Sequence, residues 1–252
     1  AIFFTNWTEP FLSKTLNNYV SVVREQNLFC IVSSNLSLKP KNNSNTIQQA
    51  LAAGADRLFV SVSGYNQSIY EINHVGGNIS WVKENLEQIA LLKRQNVIRT
   101  EVVLKFIKFD YNVGEEHALR EYAKYLGLDF EMVEGSSHPN HADTFTKDRL
   151  ESYYFDRLKD YIPSRTNENN GEICDLIMRD IPIDCQGDVY LCCATPNYPT
   201  FKVGSFLEMS YEEILLKRYL HPYCPSCQIP RRKATVSDCD MLVSGLKSRL
   251  GQ

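Results

Sequence analysis

Seven of the eight cysteines lie at or beyond position 174, and four of them have the spacing of metal ligands. Cys224 and Cys227 flank Pro225-Ser226, so one tight turn presents two thiolates, the usual knuckle of a tetrahedral ligand set. Cys174 and Cys192 enclose seventeen residues and supply the other pair. Four thiolates suit either zinc or an iron–sulfur cluster, and ligand softness alone does not choose between them. Cys193 directly follows Cys192. Adjacent side chains in a strand point to opposite faces, so only one of this pair is expected to ligate, and Cys193 is the disfavoured one. Cys30 lies within an apolar run and reads as a core thiol. Cys185 and Cys239 read either as core or as additional ligands.

The elements that must position these residues are visible in part. Gln186-Gly187-Asp188 between apolar runs is a hairpin signal, and its second strand would deliver Cys192 at its end. A short helix is expected near Tyr211–Tyr219. Upstream, residues 1–135 alternate short apolar runs with helical patterns. The runs Ile2–Thr5, Leu28–Ser33, Arg57–Ser63, Thr100–Phe109 and Phe130–Glu134 read as strands. Helices are expected over 11–26, 46–53, 79–95 and 115–126, the third because Ile79, Val82, Leu86, Ile89 and Leu92 share one face. Gly127 marks a helix stop. Alternation of this kind implies parallel β/α units, in a barrel or an open doubly wound sheet, with ligands at the C-terminal ends of the strands. Those ends are polar at Asn6-Trp7-Thr8-Glu9, Ser33-Ser34-Asn35, Ser61-Val62-Ser63-Gly64, Lys108-Phe109-Asp110 and Glu134-Gly135, which together suggest a ligand-facing rim. Tyr70, His74 and Gly76-Gly77 fall in the connection after one strand, His138 and His141 after another, and all are candidates to face a substrate.

Residues 136–170 change character, with polar stretches either side of an amphipathic helix expected over 145–161. The expected organisation is therefore a β/α domain over 1–135, a connection over 136–170 and a cysteine-rich domain over 171–252. A net charge of −3, from 27 basic and 30 acidic residues, gives no electrostatic case for nucleic acid or an anionic membrane. No run approaches the roughly 18 apolar residues of a membrane helix, no signal-peptide pattern is visible, and a cytoplasmic location is expected. The five Asn-x-Ser/Thr sequons, at Asn6, Asn35, Asn42, Asn66 and Asn78, are what a chain this rich in Asn produces by chance.

These residues carry a family resemblance. The β/α half resembles a radical S-adenosylmethionine (SAM) enzyme, and the cysteine-rich half resembles the twitch or SPASM auxiliary-cluster extension of that superfamily. The second likeness rests on the frame around Gln186-Gly187-Asp188-Val189-Tyr190-Leu191-Cys192-Cys193, the following Val203-Gly204-Ser205, the short helix and the final Cys224-x2-Cys227. The first rests on Thr8-Glu9-Pro10-Phe11-Leu12, similar to the family's Gly-Glu-Pro segment, on Ile31–Ser37, and on Phe59–Gly64. The family's defining Cys-x3-Cys-x2-Cys motif does not occur in the sequence. The chain thus reads as N-terminally truncated, beginning at the family's second strand, and as written would not cleave SAM.

The resemblance implies an α/β fold: a partial (β/α)6 barrel holding strands 2–6, followed by a small α+β twitch/SPASM domain. It implies an auxiliary 4Fe-4S cluster on Cys174, Cys192, Cys224 and Cys227, used for electron transfer. In the intact protein it implies SAM and a second 4Fe-4S cluster, with the chemistry being hydrogen abstraction from substrate. Glu9 would accept a hydrogen bond from the SAM ammonium; Ser61, Ser63 and Asn35 would lie near ribose and carboxylate; Lys105 and Val133 would contact carboxylate and adenine. The implied partners are a peptide, sugar or other small-molecule substrate and a reductant such as flavodoxin or ferredoxin. The competing expectations are a structural zinc module on a β/α scaffold and a non-catalytic interaction protein without a SAM site.

Overall fold

The computed structural model describes residues 1–5, 8–135, 171–195, 197–227 and 231–250. The chain forms two compact units, with 1–135 in the first and the described residues from 171 onward in the second. The expected helix over 145–161, His138 and His141 lie outside the described residues, as do Asn6 and Trp7 of the first polar strand end.

The first unit is mixed α/β around a five-stranded, fully parallel sheet. Its strands are β1 (Ile2–Phe4), β2 (Cys30–Ser34), β3 (Arg57–Val62), β4 (Glu101–Lys108) and β5 (Asp129–Glu134). Their spatial order is their chain order. Successive right-handed crossovers in one direction place every connecting helix on the same face of the sheet. The five described strands show no reversal of strand order, the mark of a doubly wound sheet. The helices are α1 (Leu16–Glu25), α2 (Pro40–Ala52), α3 (Gln67–Asn73), α4 (Ile79–Arg94) and α5 (Glu116–Leu126).

Side-chain alternation divides the strands between the two faces. Cys30 and Val32, then Leu58, Val60 and Val62, then Val102, Leu104 and Phe106, are buried in one core with Val20, Ile47, Leu51, Leu86, Ile89 and Leu119 of the helices. Cys30 is thus a core thiol, as its apolar neighbours implied. The second face carries Phe3, Ser33, Arg57, Phe59, Ser61, Lys105, Ile107 and Val133 in the intervening register. Cross-strand neighbours there are oppositely charged: Arg57 meets Glu101 at 2.6 Å and Lys105 reaches Glu131 at 4.0 Å.

Two helices depart from their expected bounds and a third, α3, forms where a loop was expected, each for a local reason. The segment from residue 11 starts as a 3-10 turn, Pro10–Leu12, and α1 begins only at Leu16. The Glu9 carboxylate caps that turn by accepting from the Phe11 amide. Helix α2 begins six residues early because Pro40 at its first turn presets φ, while Lys41–Asn45 carries no apolar stripe to reveal it. Helix α3 is too short to show a period, and only Tyr70 in it is buried. By contrast α4 and α5 follow the pattern: Asn78 caps α4 by accepting from the Ser80 and Trp81 amides, and α5 ends at Gly127 with φ +71°.

Buried amides fasten the loops above the strands. Asn85 donates to the carbonyls of Leu36 and Leu38, holding a loop in which Leu36 takes φ +52°. Asn112, fully buried, donates to the carbonyls of Ser63 and Ile107 and accepts from the Phe109 amide. It thereby ties the end of β3 to the end of β4.

The second unit pairs β6 (Asp188–Tyr190) antiparallel with β7 (Lys202–Ser205) and adds α6 (Asp175–Arg179), α7 (Tyr211–Tyr219) and α8 (Val236–Leu250). The expected turn forms at Gly187, φ +83°, with Asp184 Oδ1 accepting from the Gln186 and Asp188 amides. Its first arm is reduced to one bridge, Ile183 to Val189, and β6 finds its main partner downstream in β7. Helix α7 occupies the expected span and opens with a capping box, Ser210 and Glu213. Helix α8 approaches α7 so closely at Gly245 that a Cβ there would collide with the Glu212 carbonyl oxygen. Among the described residues no helix is long and apolar enough to cross a membrane.

Replacing Asn112 by Ala leaves the buried Ser63 carbonyl, the half-buried Ile107 carbonyl and the buried Phe109 amide without this partner. Unfolding of the first unit in urea, followed by far-UV circular dichroism, is expected to show a loss of about 2–4 kcal/mol. An unchanged midpoint would exclude the loop-fastening role.

Candidate metal centre and strand-end cavity

Three backbone devices place the four cysteines of the sequence pattern. Cys174 occupies the N-cap position of α6, and its carbonyl accepts from the Ile177 and Met178 amides. Just before it, Ile173 bridges to Arg232. Cys192 follows β6, with the preceding Leu191 amide donating to the Phe201 carbonyl. Thr195 closes a turn behind it, its hydroxyl donating to the Cys192 carbonyl at 2.9 Å. Cys224 opens a 3-10 turn, Cys224–Ser226, closed by the Cys227 amide donating to the Cys224 carbonyl at 3.1 Å. Arg231 also donates to that carbonyl.

The electrostatics link these thiols to one another. Burial pushes the Cys224 thiol up to about 12, and the neighbouring Cys192, Cys227 and Cys174 add to the shift. Burial likewise raises Cys192, with Cys227 contributing, while the Ala194 amide and Thr195 hydroxyl act in the opposite sense. Cys224 therefore stands within electrostatic reach of all three other cysteines of the pattern. Cys193 is pushed to about 11 by burial and couples to Cys192 and Asp180. Cys185 and Cys239 are exposed. Among the described residues no three His, Cys, Asp or Glu side chains already stand in a closed ligand cluster. The donor set is soft and anionic once deprotonated, which fits an iron–sulfur cluster or zinc and not a hard oxygen-seeking cation.

The pattern of ligands concealed the residue that organises them. Arg218 on α7 is fully buried, and its guanidinium donates to four backbone carbonyls, those of Leu191, Ile177, Leu176 and Asp180. The one available signal was its register: Arg218 lies four residues after Ile214 and three after Leu215, on the buried side of the helix. A second arginine, Arg232, holds Asp175 at 2.6 Å and Asp238 at 2.6 Å, joining the start of α6 to the start of α8. The paired guanidinium holds the Asp238 carboxyl well below the usual carboxylate range.

In the first unit a cavity of about 440 Å³ lies on the second face of the sheet, at the C-terminal ends of the strands. Ser61, Lys105 and Val133 line it together with Thr5, Ser33, Phe59, Ile107 and Phe109. Lys105 Nζ stands 5.1 Å from the centre of the Phe59 ring. The other three residues expected around a cofactor lie outside this lining. Glu9 accepts from the Ser34 hydroxyl at 2.8 Å, the Phe11 amide at 3.2 Å and the Asn35 amide at 3.3 Å, and burial raises its carboxyl. Asn35 turns its Oδ1 to the Ser37 amide. Ser63 is fully buried and donates to the Tyr70 carbonyl at 3.5 Å.

The rim assignments in the following connection are corrected. Tyr70 is fully buried in the helix-side core and stacks on His74 with ring centres 4.5 Å apart. Neither lines the cavity, whereas their neighbour Asn73 does. A helix forms where a loop was expected, and its single inward turn points Tyr70 into the core.

Residues 174–239 match SPASM, an iron-sulfur cluster-binding domain. The match runs from Cys174 to Cys239, so it spans all four cysteines of the ligand pattern. It supports iron–sulfur binding by the second unit and an association with radical SAM proteins. No curated protein matches the chain.

Burial lowers His74 from its ordinary 6.5 to about 4, so the folded first unit holds it neutral. The unfolded chain binds a proton there at higher pH than the folded chain does. Stability from this residue is therefore complete above about 6.5 and declines as pH falls toward 4, by up to about 3 kcal/mol. Urea titrations between pH 7 and 4.5 are expected to show this slope, and His74→Phe to flatten it. An identical slope in the variant would remove His74 as its source.

Proposed function

We propose that this chain is a radical SAM-associated iron–sulfur protein. Its second unit binds a four-iron cluster through Cys174, Cys192, Cys224 and Cys227. Its first unit is part of a (β/α)6 barrel that takes SAM in the strand-end cavity. The observation that carries the reading is the SPASM match, laid over residues whose thiols are mutually coupled around Cys224.

The first unit supports the reading in two ways. Sequential parallel order with all helices on one side is the arrangement a barrel segment requires, because its inner face must remain free for ligand. The cavity also offers matching chemistry. Lys105 provides a cation for a carboxylate, Ser33 and Ser61 provide hydroxyls for a ribose, and Phe59, Ile107 and Val133 provide apolar surface for a base. Its volume falls within the range of small-molecule sites, about 300–1,000 Å³. Glu9 makes three bonds where a carboxylate accepts about four, so it retains capacity for a ligand ammonium.

When bound, a fully thiolate-ligated cluster supplies one-electron transfer without an open iron site. On this reading the chain's partners are a peptide, sugar or other small-molecule substrate and a flavodoxin- or ferredoxin-like reductant. The protein's own residues bind, orient and exclude water around the cofactors.

Anaerobic reconstitution with iron and sulfide is expected to load about four of each per chain, with broad visible thiolate-to-iron absorption. Cys224→Ala abolishes this loading and Cys30→Ala does not. Stoichiometric zinc with no sulfide would overturn the iron–sulfur assignment in favour of a structural zinc module. For the cavity, equilibrium dialysis with radiolabelled SAM measures affinity directly. Lys105→Glu, which places a like charge against the ligand carboxylate, is expected to weaken binding at least tenfold. Equal affinity in the variant would dissociate SAM from this cavity.

A further inference from the structure

We infer that Arg218 is the buried counter-cation of the four-thiolate centre, holding the ligand segments in place and offsetting the negative charge of the loaded site. The inference rests on the ligand set proposed above and adds to it a residue outside the cysteine pattern.

The geometry has three parts. Arg218 is fully buried, the largest such side chain among the described residues. Its Nε donates to the Leu191 carbonyl at 2.6 Å, immediately before Cys192. Its Nη1 donates to the Ile177 carbonyl at 2.7 Å, and Nη2 to those of Leu176 and Asp180 at 3.1 and 2.5 Å, all in the segment that Cys174 opens. Its own carbonyl accepts from the Cys224 thiol at 3.6 Å. One residue thus touches the segments of three of the four ligands.

The charge is the second consideration. Among the described residues no carboxylate lies within ion-pair distance of Arg218. Its ionisable neighbours are the Cys192, Cys193 and Cys224 thiols and Asp180, whose side chain is exposed. Carbonyl dipoles compensate a buried guanidinium only in part, and removing an unpaired cation from water is costly. Four thiolates around an oxidised four-iron core, or around zinc, leave a net charge of about −2. A neighbouring buried cation halves that charge. Reduction adds an electron to an already negative centre, so the same cation favours the reduced state and raises the potential.

A purely structural arginine would hold the fold without moving the potential, and the test separates the two. Wild type, Arg218→Met and Arg218→Lys are reconstituted anaerobically as the full chain. Iron and sulfide content and the midpoint potential, by EPR-monitored titration, are then measured. Lys keeps the charge and loses the planar fork; Met loses both. The expected result is a loaded Arg218→Met variant whose reduction is at least tenfold less favourable, 59 mV for a one-electron couple, with Arg218→Lys within threefold of wild type. A loaded Arg218→Met at the wild-type potential overturns the inference. Should Arg218→Met load no cluster, Arg218→Lys decides: loading at the wild-type potential supports the counter-cation role, and a shifted or empty variant overturns it. Wild type that takes zinc in place of iron and sulfide refutes the iron–sulfur reading alone. The inference is then read from zinc affinity in chelator competition, where a tenfold loss in Arg218→Met but not Arg218→Lys supports it and equal affinities overturn it.

Discussion

A guanidinium removed from water must be surrounded by oxygen, and the second unit is arranged around that requirement. The Arg218 fork collects carbonyls from α6 and its C-cap and from the segment leaving β6. Among the described residues of this unit, Ile173, Ile177, Met178 and Leu215 pack in one cluster and Tyr190, Leu191 and Phe201 in another, but hydrophobic burial is non-directional and does not by itself fix loop positions. Directional bonds from one rigid donor do so instead. Because those carbonyls belong to residues near Cys174 and Cys192, fixing the loops also fixes the thiols.

The first unit solves a different problem with a different constraint. Right-handed crossovers between sequential parallel strands put every helix on one side of the sheet, which leaves the other side without a layer from these helices. The residues of that face are accordingly mixed: aromatic rings at Phe3 and Phe59, cations at Arg57 and Lys105, hydroxyls at Ser33 and Ser61. Such a face is poor as a core and well suited to a ligand with charged, polar and planar parts. The buried amides of Asn85 and Asn112 fasten the loops that follow β2, β3 and β4.

Much of this was legible in the residues. The five strands follow apolar, β-branched runs because a strand buried on its helix-covered face cannot be polar there. Helix α4 was visible through its apolar face, α5 through Gly127, and α7 through the pattern around Ile214 and Leu215. The early start of α2 was hidden because Lys41–Asn45 holds no apolar residue, so no period marks it. Helix α3 was hidden by its length, and with it the burial of Tyr70 and the half-buried place of His74 beside it. Arginine in an apolar stripe is ordinarily read as a surface interruption, which is why Arg218 escaped notice.

The sequence by itself determined the donor chemistry and the local turns that present it. Cysteine spacing, Pro225 in the final knuckle and Gly187 in the hairpin are local properties, set by covalent geometry and backbone preference within a few residues. Tertiary structure alone decided which of the polar strand-end residues share one cavity, that Glu9 is engaged by Ser34 and Asn35, and that Arg218 bonds the segments that carry Cys174, Cys192 and Cys224. These are contacts across long stretches of chain, and what selects them is the free energy of burying charge and polar groups with partners, which no spacing along one segment records.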